Sequence, residues 1–550
     1  MRARTDIITA ILLGALFVVL YALTVPANHS EADNAFHYAW QTEQVPLAQT
    51  IHRHHLFFVP LAKGVFHATR VLGVSRAHAA MLALSMLAGG IAIAFAFLTL
   101  RRNLDFSRGV ALLAAAIIGT SYGFWRYACE AEIPVVAAAP LMIAIYCLTR
   151  RRVGIPCVVV AALAAAAAVF MHVLALIPAV LALPALLMGR RRRAPLLAYI
   201  LILIAIILGG YAGTNTSPFD APSAELTDEC GDIHFSMHGP SAIGNAIIGF
   251  GQTIVGGNFL FCVPPFREFM TRAFSHRLLR EELLLGEQAG LSAVIVPLIT
   301  LLLIGLVTLF VADDRLSVPA AKADDAPTPQ PPLSRTDHRR PALICMLIWL
   351  AVHSLLLLSY QPANPEGWIL VSIPFWMSII LLWAKDPRGI PQPALGTLFV
   401  LLLLHNYFGG IHLLADKEGD FYHAKSQWVL DHMRSRDIVL TADNPAYTWH
   451  LRYHSPGDVV NVRGAETEQI VDRIQAVRKA GGHVFAMGDV FTGPDAVRHT
   501  TLPVRQRMLR TGEVLQPSFA RIRQDDFGGV WIFRPKPVRR HPKKGGTQKD

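Results

Sequence analysis

A polytopic α-helical membrane protein, with about eleven apolar spans and a C-terminal extracytoplasmic α/β domain, is the fold class this sequence predicts.

 Those spans are read from hydropathy and charge alone, on three observations. The 550-residue chain is 53% hydrophobic and only 16% charged, against about 25% charged in an average soluble domain. Its apolar residues gather in blocks of roughly 17–23, the length that crosses a bilayer core. Its arginines cluster at the ends of those blocks, where they set topology. A disordered chain is excluded by the hydrophobicity. The net charge of +11 sits in these clusters, so it signals a bilayer as partner and no nucleic acid.

The blocks fall at 6–25, 78–100, 109–125, 133–149, 153–171, 172–188, 195–212, 290–312, 341–359, 368–384 and 391–413. Arg2 and Arg4 precede the first. Arg101, Arg102 and Arg108 follow the second, Arg150 to Arg152 the fourth, and Arg190 to Arg193 the sixth. Arg315, Lys322, Arg335, Arg339 and Arg340 follow the eighth, and Lys385 and Arg388 the tenth. All of these share one side if the N-terminus is cytoplasmic. The segments 26–77, 213–289 and 414–550 then lie outside, the last because an odd number of spans exports the C-terminus. The expected location is an integral one, in a bacterial inner (plasma) membrane. Val25-Pro26-Ala27 resembles a signal-peptidase site, but the preceding apolar run is longer than a signal h-region and reads as an uncleaved anchor.

Residues 313–340 carry five prolines among Asp, Ala and Lys and read as a cytoplasmic linker. They divide a 1–312 membrane module from a 341–413 module. Cys230 and Cys262 share the second external segment, where an oxidising exterior permits a disulfide; free thiols are the equal alternative.

The first external segment is rich in ionisable groups: His29, Glu31, Asp33, His37, Glu43, then His52-Arg53-His54-His55. A carboxylate such as Glu31 or Asp33, close to the membrane surface, suits a general base toward a hydroxyl; a solvated polar loop is the plainer alternative. Leu56 to Phe66 is apolar but too short to cross, as in an interfacial or re-entrant helix. Between the third and fourth spans runs Phe124-Trp125-Arg126-Tyr127-Ala128-Cys129-Glu130-Ala131-Glu132. Arg126 there either binds a lipid phosphate or pairs with Glu130 or Glu132. Glu132 heads a span, and acids at a membrane edge are functional candidates because burying them is costly. Asn364-Pro365-Glu366-Gly367-Trp368 is a short outer turn, with Glu366 favourable to a helix start. His172 reads as an interfacial histidine. No metal signature stands out, since His54 and His55 are adjacent rather than i, i+4; a divalent metal stays open as a cofactor. No phosphate-binding loop of the ATP-driven pumps is present.

At these places the sequence resembles the GT-C fold membrane glycosyltransferases, in the branch related to protein O-mannosyltransferases and its bacterial members of undefined substrate. The likeness rests on the acids after the first span, the His-Leu stretch leading into a helix, Phe-Trp before a Glu at a span start, and Asn364 to Trp368. It covers about 1–150 and 355–380. Here His54-His55-Leu56 stands where His-Pro-Pro is usual, and Ile133-Pro134 where an aromatic often follows the Glu. The resemblance implies a polyprenyl-phosphate-linked sugar as donor and a lipid, glycan or protein hydroxyl as acceptor. It implies inverting transfer, with Asp33 ahead of Glu31 as base. Arg126, Glu132, His54, His55 and Glu366 then line the donor phosphate or the edge of the site. A transporter or lipid flippase, and a non-catalytic scaffold, are the competing functions. A transporter calls for repeats and mid-bilayer charges, whereas these acids cluster outside the spans.

Residues 414–534 alternate strand-like and helix-like pieces, with strands at 437–441, 459–462, 483–487 and 530–533 and an amphipathic helix at 466–480. This predicts an α/β domain with a parallel core. Asp443 and Asp489 follow strands, where such folds place ligands; ordinary loop acids are the alternative. Residues 535–550 form a basic tail.

Overall fold

The computed structural model describes residues 2–29, 32, 34–188, 193–214, 239–257, 263–265, 268, 290–313, 339–360, 362, 364–383, 392–417, 420–442, 445–463, 465–492, 502–525 and 528–534. Glu31, Asp33, Cys230, Cys262 and Asp443, most of the 313–340 linker and the basic tail lie outside these. The chain forms two compact units: residues 1–221 with 233–421, and residues 222–232 with 422–550.

The first unit is helical. In its N-terminal part the helices are α1 (Arg2–Leu23), α2 (Ala35–Gln44), α3 (Phe58–Arg70), α4 (Ala77–Leu98), α5 (Arg108–Thr120), α6 (Tyr122–Ala128), α7 (Ile133–Thr149) and α8 (Ile155–Met171). Further on come Arg193–Gly213, Gly239–Ile254, Ser292–Asp313, Arg339–Tyr360, Pro365–Trp383 and Gln392–Gly409. Among the described residues, six helices are long and apolar enough to cross a membrane, or seven if the bent pair α6 and α7 is one span. Four shorter apolar helices, Arg108–Thr120, Ile155–Met171, Val173–Met188 and Ser292–Leu306, occupy the other expected blocks.

Three features depart from the expected blocks. The block 109–125 is not one helix. It breaks at Ser121, whose backbone is extended, and the chain restarts as α6. Thr120 and Ser121 both turn their hydroxyls back onto carbonyls one turn earlier, a bond that competes with continuing the helix. The block 172–188 is irregular: a 3-10 turn at Val173–Ala175, a wide turn at Pro178–Ala182 and a short helix at Ala185–Met188. Pro178 and Pro184 each lack the N–H a regular helix needs there. Finally, the segment 213–289, where the sequence predicts no helix, contains the helix Gly239–Ile254. It packs against Pro365–Trp383, and Thr253 donates to the Pro365 carbonyl at 3.0 Å.

Close packing of α1 on α4 positions the loop that follows α1. A Cβ at Gly90 would lie 2.7 Å from the Gly14 carbonyl oxygen, so only glycine lets the two backbones approach this far. At one end of the helices, Asp6 of α1 pairs with Arg101 and Arg108, and Arg339 donates to the Leu104 carbonyl. These are groups that the arginine rule puts on a single side.

The second unit holds a five-stranded sheet: β1 (Ile438–Thr441), β2 (Asp458–Asn461), β3 (Val484–Met487), β4 (Phe519–Asp525) and β5 (Gly528–Phe533), in the order β2-β1-β3-β5-β4. β1 runs parallel to β2 and β3, while β5 is antiparallel to both β3 and β4. The parallel core is therefore half of the sheet, extended by a hairpin. β4 carries no strand signal in the sequence, because its Phe-Ala-Arg-Ile-Arg-Gln-Asp is largely polar. The helix Thr467–Lys479 turns Ile470 and Ile474 into the core. Asp489 accepts from the Ala442 backbone at 3.2 Å, so it ties β3 to β1. Unit one ends later than residue 414: Ile411–Ala415 and Asp420 pack on the loop after α1, as described next.

Candidate active site

The loop after α1 is stapled to two other segments. Ala27 and Asn28 both donate to the Leu414 carbonyl, at 2.9 and 3.0 Å. The His29 backbone donates to Asp420 Oδ2 at 2.9 Å. The His29 ring meets the Glu130 carboxylate through Nδ1, at 2.9 and 3.0 Å from its two oxygens. Five residues on, the Asn34 backbone donates to Glu132 Oε1 at 3.1 Å. The stretch holding Glu31 and Asp33 is thus bracketed by two bonds to the Glu130-Ala131-Glu132 elbow. The two acids themselves lie outside the described residues.

The elbow follows from local sequence. Pro134 sits in the first turn of α7, where its missing N–H is no loss, and Glu132 precedes the helix with an extended backbone. α6 and α7 meet there at 107°. Trp125 anchors α6 by donating to Thr24 Oγ1 at 2.8 Å, and Ser85 donates to the Glu132 carbonyl at 3.3 Å. The turn is deep: Arg126, Glu130 and Glu132 are each 1% exposed or less.

Arg126 reaches Glu130 Oε1 at 2.5 Å. Arg126 thus pairs with Glu130, one of the partners its sequence context offered, and its guanidinium is buried. Burial pushes the Glu130 carboxyl up, but the charges of His29 and Arg126 outweigh it and hold the group at about 2. Burial likewise works against a charged His29, and the Glu130 carboxylate overcomes it, raising the imidazole from its ordinary value.

His78, one residue into α4, completes this cluster. Its ring stacks on Phe36 at 5.1 Å and meets His29 edge-on at 5.1 Å. Among the described residues, His29, His78 and Glu130 bring ligand-type atoms from three separate segments within 4.8 Å of one another. In the sequence His29 is one of several ionisable groups in its segment, and nothing there singles out His78. No spacing signal links residues that far apart.

α2 joins this cluster to a second one. Tyr38 packs edge-on against His55 at 5.0 Å and Phe58 at 5.3 Å. His52 stacks on His55 at 4.3 Å. Residues 54–57 are sewn to the end of α8: Val173 donates to the His54 carbonyl at 2.8 Å, and Phe57 to the Phe170 carbonyl at 3.0 Å. His172 belongs to this group and accepts from the Leu174 backbone. Burial lowers His52, His54 and His172 to about 4, with neighbouring imidazoles or Arg53 adding to the effect. All are neutral at pH 7. Arg53 donates to His54 Nε2 at 3.0 Å and is held by Tyr211, which donates to its carbonyl. Its Nη1 is buried with no hydrogen-bond partner.

Glu366 lies in the first turn of Pro365–Trp383, its backbone capped by Asn364 Oδ1 at 3.0 Å. That helix packs against α6.

No family model matches the chain, and no curated protein does. Solved structures similar to it include ArnT from Cupriavidus metallidurans bound to undecaprenyl phosphate, at 12% identity and a TM-score of 0.49, covering 95% of this chain and 97% of that one. The Archaeoglobus fulgidus oligosaccharyltransferase in complex with Zn and sulfate is similar at 13% identity and a TM-score of 0.46, covering 88% of this chain and 68% of that one.

Proposed function

We propose that this protein is an integral membrane glycosyltransferase that moves a sugar from a polyprenyl-phosphate donor to a hydroxyl acceptor on the extracytoplasmic side. The observation that carries this reading is the bracketing of the Glu31–Asp33 stretch between His29 on Glu130 and Asn34 on Glu132. A solvated loop has no reason to be tied at both ends to a buried acidic elbow. Asp33 is the base in this reading, with Glu31 second. It takes the acceptor proton as the hydroxyl oxygen attacks the anomeric carbon and the polyprenyl phosphate leaves with the bonding pair, inverting that carbon. Arg53 and the neutral histidines beside it offer N–H donors to the leaving phosphate, and preorganised donors of this kind are where such a site gains most. Arg126 acts indirectly, by holding Glu130.

The test is transfer from a synthetic polyprenyl-phosphate sugar by purified protein in lipid, read as release of polyprenyl phosphate. A general base contributes about 10²–10⁴-fold in rate, so Asp33→Asn is expected to lose that much while donor binding survives. Glu31→Gln is expected to lose far less. If neither variant slows transfer, the catalytic role of this loop is wrong.

A further inference from the structure

We propose that Asn406 is a positioning residue for the loop after α1: its buried amide fixes the two supports of that loop relative to each other. Asn406 lies on the helix Gln392–Gly409 and is fully buried. A side-chain amide offers two N–H donors and a carbonyl acceptor, and here all are used at two helix ends. Nδ2 donates to the Thr120 carbonyl at 2.7 Å and to the Ile254 carbonyl at 3.0 Å. Oδ1 accepts from the Gly256 backbone at 2.9 Å. Thr120 and Ile254 are the last residues of α5 and of the helix Gly239–Ile254, where carbonyls have no partner within their own helix. The other carbonyls in the last turn of α5 are taken by Ser121, which donates to Ile117 and Ile118, and by Tyr21, which donates to Gly119. The Thr120 carbonyl falls to Asn406, so the break between α5 and α6 is closed by a residue 286 positions away.

Two arms lead from this node to the loop. In the first, α6 starts at Tyr122, which packs against Gly410, and the break before it is also held by Trp376, which donates to Ser121 Oγ at 2.7 Å. α6 carries Trp125 to Thr24 and Arg126 to Glu130, and Glu130 holds the His29 ring. The second arm is the helix of Asn406 itself. It leads into the turn Ile411–Ala415, where the Leu414 carbonyl takes the N–H groups of Ala27 and Asn28. Removing the amide leaves two buried carbonyls without a donor, a state costly enough to shift the break. A shift there moves α6 relative to Leu414 and changes how the loop is held. The consequence for transfer rests on the glycosyltransferase reading, in which this loop carries the base; the consequence for the loop itself does not.

The experiment uses purified full-length protein in lipid nanodiscs. Asn406→Leu loses all three bonds, and Asn406→Asp keeps the shape and the acceptor but loses both donors. The controls are Asn103→Leu and Asn103→Asp, at a buried asparagine whose amide donates to the Tyr146 carbonyl and Thr149 Oγ1 near Arg101 and Arg102. Amide hydrogen exchange, which reports local opening, is read by mass spectrometry in peptides covering Ala27 to His29 and Asn34. Exchange there is expected to rise about tenfold in both Asn406 variants and to stay at the wild-type rate in the Asn103 variants. In the transfer assay the rate is divided by the amount of enzyme that binds donor. This corrected kcat is expected to fall about 10- to 100-fold with donor KM unchanged, the loss that a misplacement of about 1 Å brings. A purely structural role lowers the folded fraction and leaves the corrected kcat at the wild-type value. Should Asn406→Leu fail to fold, Asn406→Asp decides. If faster exchange is confined to 117–122 and 251–256, if the corrected kcat is unchanged, or if the Asn103 variants behave like those of Asn406, then Asn406 caps two helices and positions nothing. If the wild type transfers no sugar, it is the functional reading that fails, and the exchange measurement alone decides the role of Asn406.

Discussion

Truncating Arg126 to alanine strips Glu130 of its guanidinium and leaves the buried carboxylate on the His29 imidazole. Removing one partner of a buried pair costs about 3–5 kcal/mol, because the other charge stays desolvated. His29 still bonds Glu130, so the lower end of that range is expected. Arg126→Ala is therefore expected to lower the unfolding temperature measurably, with any loss of donor binding following from the displaced elbow. Arg126→Ala/Glu130→Ala is expected to be less destabilised than the sum of the two single variants, as contacting residues are in a double-mutant cycle. Unfolding of the single Arg126 variant at the wild-type temperature would show that the pair does not support the fold. The sequence placed Arg126 near Glu130 and Glu132 but left its partner open, since choosing between them needs burial, which no single residue announces.

At the scale of elements, the site depends on how closely α1 approaches α4. His29 follows α1 and His78 begins α4, so any separation of the helices pulls the two histidines apart. The approach relies on glycine: a Cβ at Gly90 meets Val18 at 2.6 Å and the Gly14 carbonyl at 2.7 Å. Overpacking of this kind costs typically about 1–3 kcal/mol. Gly90→Ala is expected to lower the unfolding temperature. Gly64→Ala on α3, where nothing lies within 4 Å of the new Cβ, is expected to be neutral or mildly stabilising, by up to about 1 kcal/mol. Equal unfolding temperatures for the two variants would remove the close-packing account. Most helices were legible as apolar blocks, because their hydropathy is local. The break at Ser121 and the wide turn at Pro178 were less so, since a run of apolar residues looks alike whether straight or broken. The helix Gly239–Ile254 was hidden by its Gly, Ser, Asn and Gln residues, which read as loop until the apolar face finds Pro365–Trp383.

The molecule as a whole sorts its polar contacts by side. The loop after α1 bonds to the elbow at 130–132, and residues 54–57 to residues 170–173. The arginine rule assigns all of these to the exterior. Asp6, Arg101, Arg108 and Arg339 meet at the other end. An eleven-span topology is expected to place reporter fusions at position 320 in the cytoplasm and at position 430 outside. A cytoplasmic signal at 430 would require an even number of crossings and overturn it.

What the sequence determined by itself was the membrane class, the approximate blocks, the α/β character of the last quarter and the segments where ionisable groups gather. All of these follow from composition and short-range period, which a bilayer or a sheet imposes on consecutive residues. What only the tertiary structure decided was which polar groups meet. His29 and Glu130 are 101 residues apart, and His29 bonds to Asp420 across 391. Contacts over such separations are made by packing α1, α4 and the α6–α7 elbow together, and no local pattern encodes the partner that packing will bring.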